Sequence, residues 1–279
     1  MALTNIMPVY QAVLLALVQG LTEFLPVSSS AHLSLAPWLL RWPDQGLSFD
    51  IALHVGTLAA VLIYFARDWI QIAAQGFGIK LDWDPELTRN PKLLWMLAAA
   101  SLPIGLFGYF FKHLAETSLR DNKYLIGVML IGVGLLLGIS DNFGARRKSI
   151  GELTWKDAIF VGLAQAIAIV PGTSRSGITL VAGLFRDANR AAAARFSFLL
   201  STPAILAAGA KDMLELHDNG GIPVYMRQSM AIGVAVSAVT GCVVIALFMR
   251  FLRSNSLNGF VIYRVMLGVF VLLMAFFRG

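Results

Sequence analysis

Charge and thiols are both scarce in this chain. Asp, Glu, Lys and Arg make up 14% of its 279 residues against 57% hydrophobic residues, and its mean hydropathy is +0.72. Soluble domains carry roughly 25% charged residues, so this composition excludes an ordinary soluble fold and points to an integral membrane protein. The one cysteine, Cys242, lies in an apolar stretch. It excludes an intramolecular disulfide and thiolate metal clusters, and reads as packing. No basic segment followed by a short apolar core opens the sequence: Met1 to Val9 is neutral and contains Pro8, so no cleaved leader is expected. The net charge of +6 does not indicate nucleic acid, because the basic residues sit at the ends of apolar segments, where they act as topology signals. Nucleic-acid binding is discarded.

What the chain has in abundance is long apolar sequence. A hydrocarbon core takes about 20 helical residues to cross, and six segments qualify: Phe49 to Ala66, Leu93 to Phe111, Tyr124 to Ser140, Phe196 to Ala210, Met230 to Met249 and Phe260 to Phe277. Two more regions, Val9 to Leu40 and Trp155 to Phe185, are apolar but interrupted by "LPVSSSAH" and "VPGTSRSG". Each half of such a region is too short to span. Backbone broken by Pro and Gly at membrane depth is tolerated only where it is buried in protein or lines a wet cavity. Both regions are therefore expected to be re-entrant helix-loop-helix hairpins. The predicted fold is an all-α integral membrane protein, six transmembrane helices plus two re-entrant hairpins, in a single membrane domain over 1–279.

The domain divides into two similar halves, 1–145 with hairpin 9–40 and three spans, and 146–279 with hairpin 155–185 and three spans. Gln19 in "VQGLTEFLP" pairs with Gln165 in "AQAIAIVP", with one residue of slippage before the prolines. "FDIALHVGTLAA" from Phe49 falls on "FSFLLSTPAILA" from Phe196, and "GVMLIGV" from Gly127 on "RVMLGVF" from Arg264. Three crossings in each half make the repeats inverted across the membrane. The larger share of connecting Lys and Arg, including Arg146, Arg147, Lys148, Arg186, Arg190 and Arg195, falls on one side, and a smaller share, including Arg41, Arg120, Lys123 and Arg227, on the other. The positive-inside rule makes the first side cytoplasmic.

The interruptions carry the chemistry. Gln19 and Glu23 are one helical turn apart on one face, Pro26 ends their helix, and Ser28, Ser29 or Ser30 can cap the returning helix, whose positive dipole end attracts anions. The second hairpin repeats this: Gly172 follows Pro171, Thr173 or Ser174 caps, and Arg175 and Ser176 open the outgoing helix. An arginine there opposes the dipole and makes sense if something negative occupies the space before both helix ends. The serines could be plain caps and Gln19 and Gln165 plain hydrogen-bond glue between half-helices. Glu23 and Arg175 differ, because a charge near the bilayer centre costs about 2.5 to 3.5 kcal/mol. A mutual salt bridge would account for both, but would leave the serines and His32 unexplained. His32 lies one turn after the serines, within reach of the same pocket. Asp50, His54, Arg195 and Ser201 lie on adjacent spans and could support the pocket, and Arg264, next to Tyr263, could either snorkel to the interface or turn inward to Glu23 or a phosphate. Two helix N-termini, an arginine, hydroxyls, a carboxylate and an imidazole are equipment for phosphate.

"QGLTEFLPVSSSAHL" and "PGTSRSG", with "FSFLLSTP" and "YRVMLG" further on, resemble the motifs of the bacterial undecaprenyl pyrophosphate phosphatase family, also called the bacitracin-resistance family. The likeness covers nearly the whole chain. It implies hydrolysis of undecaprenyl pyrophosphate to the monophosphate and inorganic phosphate, which recycles the lipid carrier of cell-wall sugars in the bacterial inner membrane. It also implies a divalent cation, Mg or Ca, bridging Glu23 and pyrophosphate. Carried over by position, Glu23, Ser29, Ser30, His32 and Arg175 are catalytic, with Gln19, Ser28, Gly172, Thr173, Ser174 and Ser176 binding substrate. Gln19 stands where many members have Glu, so a second carboxylate for the cation would have to come from elsewhere, and Ala31 stands where Gly is common. The nucleophile expected is Ser29, then Ser30, activated by His32 or Glu23, with attack by His32 or by water on the metal left open.

The partners expected are the polyprenyl pyrophosphate and the bilayer, with a homodimer possible and the active site facing the periplasmic side. The rival function is a transporter or flippase of the lipid phosphate, since broken helices in inverted repeats also build secondary transporters. A phosphatase of the phosphatidic-acid type is excluded, because no histidine follows "SRSG" in "ITLVAGLFRD".

Overall fold

The computed structural model describes residues 7–114, 119–120, 122–218 and 223–278. Among them the secondary structure is helical, with a single isolated bridge between Lys148 and Ala188. Six helices are long and apolar enough to cross a membrane. They are α3 (Leu47–Tyr64), α6 (Leu93–Leu114), α7 (Lys123–Phe143), α10 (Arg190–Asp218), α11 (Val224–Phe251) and α12 (Asn258–Arg278), and they coincide with the six expected segments. The chain is a multi-pass membrane protein. Large apolar side chains stay exposed on the outer faces, among them Leu102, Tyr109, Val239, Leu247 and Met266, a surface that a bilayer covers and water would not tolerate.

The two interrupted regions are each a pair of short helices. The first pair is α1 (Val9–Thr22) and α2 (Ser29–Leu40); the second is α8 (Trp155–Ala166), one 3₁₀ turn over Ile167–Ile169, and α9 (Arg175–Phe185). None of the four exceeds 14 residues, less than the roughly 20 a crossing takes. Two minor helices, α4 (Ala66–Gly76) and α5 (Pro85–Thr88), lie between α3 and α6. Asp84 caps α5 by accepting from the Glu86 amide at 2.8 Å.

Small residues set the packing. Helix α11 packs on both α1 and α3, and α6 packs on α8. A Cβ on Gly56 of α3 would stand 2.0 Å from Ser237 Oγ and 2.4 Å from the Val234 carbonyl of α11. One on Gly162 of α8 would stand 2.3 Å from the Ala100 carbonyl of α6. With hydrocarbon outside, helices gain little from hiding apolar faces, and close backbone approach through glycine supplies the contact instead. Phe24, the residue after Glu23, is 2% exposed. Its ring meets Phe198 edge-on at 5.4 Å between centroids and fills the notch over Gly241, which anchors the end of α1 between α10 and α11.

One expectation is corrected at this level. Arg195 does not support the pocket: its Nε donates to Asp68 and one Nη to Asp84, both at 2.7 Å. Acidic residues of the α4–α5 segment claim the guanidinium, and it ties that segment to α10.

Candidate functional site

The site forms where the two short-helix pairs meet end to end. Both returning helices start on a serine at positive φ, Ser28 at 77° and Ser174 at 70°, a conformation that side-chain-bearing residues rarely adopt. Each serine turns its hydroxyl onto the helix it begins. Ser28 Oγ accepts from the Ala31 amide at 3.4 Å, and Ser174 Oγ accepts from the Gly177 amide at 3.0 Å. In each loop the serine two residues on stands 3.3 Å from the cap, Ser30 by Ser28 and Ser176 by Ser174. The equivalence between the pairs follows the caps: one spacing relates Gln19 to Gln165, Ser28 to Ser174 and Ser30 to Ser176. The prolines break each chain one position out of step.

Cross-links hold the two loops together. Ser176 Oγ lies 3.0 Å from the Glu23 carbonyl and 3.1 Å from the Leu25 carbonyl. Arg264 turns fully inward and is completely buried. It does not meet Glu23. Its guanidinium donates to the carbonyls of Pro26 (3.1 Å) in the first loop, Gly172 (3.0 Å) and Thr173 (3.1 Å) in the second, and Met129 and Leu130 on α7. Five carbonyl partners in place of a carboxylate make it a staple: three belong to the broken loops, where free carbonyls need a donor, and two tie it to the continuous helix α7. Gly172 has φ of 88°, and a Cβ there would stand 2.8 Å from the Ile126 carbonyl, so this position takes glycine alone. Thr173 is buried, its hydroxyl donating to the Ile167 carbonyl at 3.2 Å.

At the junction stands Glu23. One carboxylate oxygen pairs with Arg175, whose other Nη donates to the Ser201 carbonyl at 3.4 Å. The second oxygen accepts from Ser29 Oγ at 2.5 Å and Gln19 Nε2 at 3.0 Å, and His54 Nε2 stands 3.6 Å away. The Glu23 side chain is 4% exposed and that of Arg175 17%. A buried pair of this kind offsets its own desolvation only with good geometry and further hydrogen bonds, and here both partners have them.

The structure thus brings together Gln19, Glu23, Ser29 and Arg175 of the predicted site, with Ser28 and Ser174 as caps and Ser176 as cross-link. Ser30 is exposed, and among the described residues its hydroxyl bonds to that of Ser28. His32 turns to the other side: Nδ1 lies 2.7 Å from the Ser28 carbonyl and Nε2 2.6 Å from Tyr263 Oη. The imidazole at the carboxylate is that of His54, held by Nδ1 to the Asp50 carbonyl at 2.8 Å. The sequence alignment of the two halves already set His54 against Ser201, and each touches one partner of the Glu23–Arg175 pair. The Asp50 carboxylate instead pairs with Arg120 and Gln45, at 2.8 and 2.7 Å. The Gln165 side chain is buried without a hydrogen bond to any described residue, and that of Gln19 bonds Glu23 at the end of its own helix, so glue between half-helices is the role of neither glutamine here.

A divalent cation would find one carboxylate here. Among the described residues no three His, Cys, Asp or Glu side chains converge, and Asp50 is engaged elsewhere. This does not make a protein cage, but it suits a hard cation of the magnesium kind, which keeps waters and takes one or two carboxylates plus substrate phosphates.

Comparison with known proteins gives a consistent picture. A family model described as "Bacitracin resistance protein BacA" matches residues 12–270. A protein of Desulforudis audaxviator named undecaprenyl-diphosphatase is 45% identical over 273 residues, covering 97% of this chain and 99% of that one. One of Thermomicrobium roseum with the same name is 44% identical over 277 residues, with 97% and 99% covered. One of Alcanivorax borkumensis, again so named, is 46% identical over 266 residues, with 94% and 97% covered.

Proposed function

The chain belongs to the bacitracin resistance protein BacA family, and on that premise we infer that it is a membrane phosphatase acting on undecaprenyl pyrophosphate. It hydrolyses this lipid to undecaprenyl phosphate and inorganic phosphate, recycling the carrier for cell-wall synthesis. The observation that carries the reading onto this chain's own residues is the run Ser29–Glu23–Arg175, set between the N-termini of α2 and α9.

The mechanism we propose begins with an exchange of partners. With no anion at hand, Arg175 neutralises Glu23. An arriving pyrophosphate competes for the guanidinium and for the free amides of both helix starts, and as Arg175 turns to it the carboxylate is released to act as a base. Ser29, already donating to Glu23 at 2.5 Å, attacks the terminal phosphorus. The Oγ–P bond forms, the proton passes to Glu23, and the bond to the bridging oxygen breaks, so that undecaprenyl phosphate leaves with the electron pair. Water then attacks the phosphoserine, its proton passing to a phosphate oxygen, the P–Oγ bond breaks with the electron pair on Oγ, and Ser29 takes back the proton held by Glu23 as inorganic phosphate departs. Arg175 and the two helix dipoles stabilise the charge spread over the transferring group. A Mg or Ca ion would be held by Glu23 and would neutralise pyrophosphate charge.

In the same proposal, both short-helix pairs are re-entrant hairpins entering from opposite faces of the bacterial inner membrane, the halves 1–145 and 146–279 are inverted repeats, and the site opens to the periplasmic side. The shared caps and the matching contacts of α1 with α11 and of α8 with α6 support the repeat. The distribution of Lys and Arg supports the orientation. The isoprenoid tail stays in the bilayer, so only the headgroup has to reach Glu23.

The test is phosphate release from a polyprenyl pyrophosphate in detergent, wild type against Glu23→Ala, with and without EDTA. Release by wild type and none by the variant is expected, with EDTA sensitivity if a cation takes part. No release by folded wild type supplied with Mg or Ca overturns the reading.

A further inference from the structure

We propose that Tyr263 is a positioning residue for this hydrolysis: it fixes His32, and His32 fixes the cap that aims Ser29 at Glu23. The inference rests on the phosphatase reading above.

The geometry around His32 leaves little freedom. A carbonyl only accepts, so the 2.7 Å contact with the Ser28 carbonyl puts the proton of a neutral ring on Nδ1 and the lone pair on Nε2. That lone pair faces Tyr263 Oη at 2.6 Å, and the phenol donates to it. The two rings lie nearly parallel, 6° between planes and 5.8 Å between centroids. Both imidazole nitrogens are therefore engaged. His32 cannot take a proton from Ser29 in this arrangement, and Glu23 is the acceptor that remains.

What His32 does instead is visible in its other partner. The Ser28 carbonyl accepts twice from His32, from the ring and from the backbone amide at 3.2 Å. It belongs to a residue held at positive φ, a conformation that persists only where the surroundings over-determine it. The second loop supplies the control. Ser174 has the same backbone, but its own capping bond is shorter, 3.0 Å against 3.4 Å for Ser28. The residue four on from Ser174 is Ile178, which gives its carbonyl a backbone amide alone, at 2.9 Å. The longer capping bond and the extra clamp occur together, on the loop whose next residue is Ser29. The clamp is referenced to the rest of the protein through α12. Tyr263 holds this loop by way of His32, and the adjacent Arg264 holds it directly at the Pro26 carbonyl.

The experiment pairs Tyr263→Phe, which keeps the ring and removes the phenol, with His32→Gln and the double variant. Steady-state hydrolysis of a polyprenyl pyrophosphate is measured in detergent. Imidazole nitrogen-15 spectra of histidine-labelled protein are recorded alongside, with His32 assigned by its loss in His32→Gln. Removing one neutral hydrogen bond is worth about threefold to tenfold. Tyr263→Phe is expected to lower kcat by that factor with KM unchanged, to add no further loss in the His32→Gln background, and to shift the His32 Nε2 resonance toward that of a free lone pair. An equal loss of kcat in both backgrounds, an unchanged kcat, or an unaltered His32 spectrum in Tyr263→Phe overturns the proposal. The spectra do not depend on turnover, so a failed clamp and a failed phosphatase reading give different results.

Discussion

The first and second loops at the site share a frame and divide its chemistry. Each ends on a serine at positive φ, each places another serine 3.3 Å from that cap, and each launches a short helix. The residue after the cap is Ser29 in one and Arg175 in the other, and where the first loop has Glu23 the second, at the same spacing from its glutamine, has Ile169. An unbroken duplicate would set two carboxylates or two guanidiniums against each other in a medium that screens them poorly. The differences at two positions instead set a hydroxyl and carboxylate on one side and a guanidinium on the other, held together by the Ser176 and Arg264 cross-links, and in the proposed mechanism these are the attacking and the charge-stabilising sides. The frame is what two anion-attracting helix ends demand; in the proposed mechanism the differences serve the reaction.

The largest effect expected from breaking this arrangement is that of Arg175→Ala. Hydrolysis should fall by about 10³-fold, measured as phosphate release at saturating substrate, while the variant still purifies as a folded protein. Near-normal turnover would remove Arg175 from the mechanism. Next comes the staple. Arg264→Met strips the three loop carbonyls of Pro26, Gly172 and Thr173 of this donor and should cost about 3 kcal/mol of stability, read as a lowered melting temperature in detergent. An unshifted melting curve would mean the loops hold without it.

A smaller change sharpens the comparison from the side of the carboxylate. Gln19→Glu puts a second acid one turn from Glu23, and should keep activity within about tenfold of wild type while lowering the Mg concentration needed for half-maximal rate. A raised Mg requirement would argue against a cation at Glu23. The smallest effect lies outside the membrane spans. Burial works to raise the Asp84 carboxyl, but the Arg195 hydrogen bond and the Glu86 amide outweigh it and hold it below the ordinary carboxylate range. A depressed group contributes stability that is present above its unfolded value and lost as pH falls through the folded one. Melting temperature should therefore hold from neutrality and decline below about pH 4, with Asp84→Asn removing part of that decline.

Much of this was legible in the sequence because the bilayer imposes simple rules. Apolar length marked the six crossings. Pro26, Pro171, Gly172 and the serines marked the breaks, since proline and glycine interrupt a helix that the apolar run around them would otherwise continue. The cost of isolated charge in that setting singled out Glu23 and Arg175 and left a mutual salt bridge as one of the open accounts of them. Side-chain direction after a cap at positive φ did not follow, because the turn resets the helical phase. His32 accordingly points to Tyr263 on α12, and His54, on a separate span, reaches the carboxylate. Arg264 was ambiguous for another reason: a sequence names no backbone carbonyls as partners, and broken helices offer several. Arg195 was misplaced because its acids, Asp68 and Asp84, come from a segment that folds beneath α10 only in three dimensions.

The most direct test of the central claim is the rate of phosphate release in single-turnover hydrolysis of a polyprenyl pyrophosphate by Ser29→Ala and Ser30→Ala. The two hydroxyls are neighbours in sequence, but only that of Ser29 bonds to Glu23. Loss of about 10³-fold or more in Ser29→Ala, with Ser30→Ala within about tenfold of wild type, is the predicted result. Turnover by Ser29→Ala near the wild-type rate would contradict the account, and would move the attack to water or to another side chain at the carboxylate.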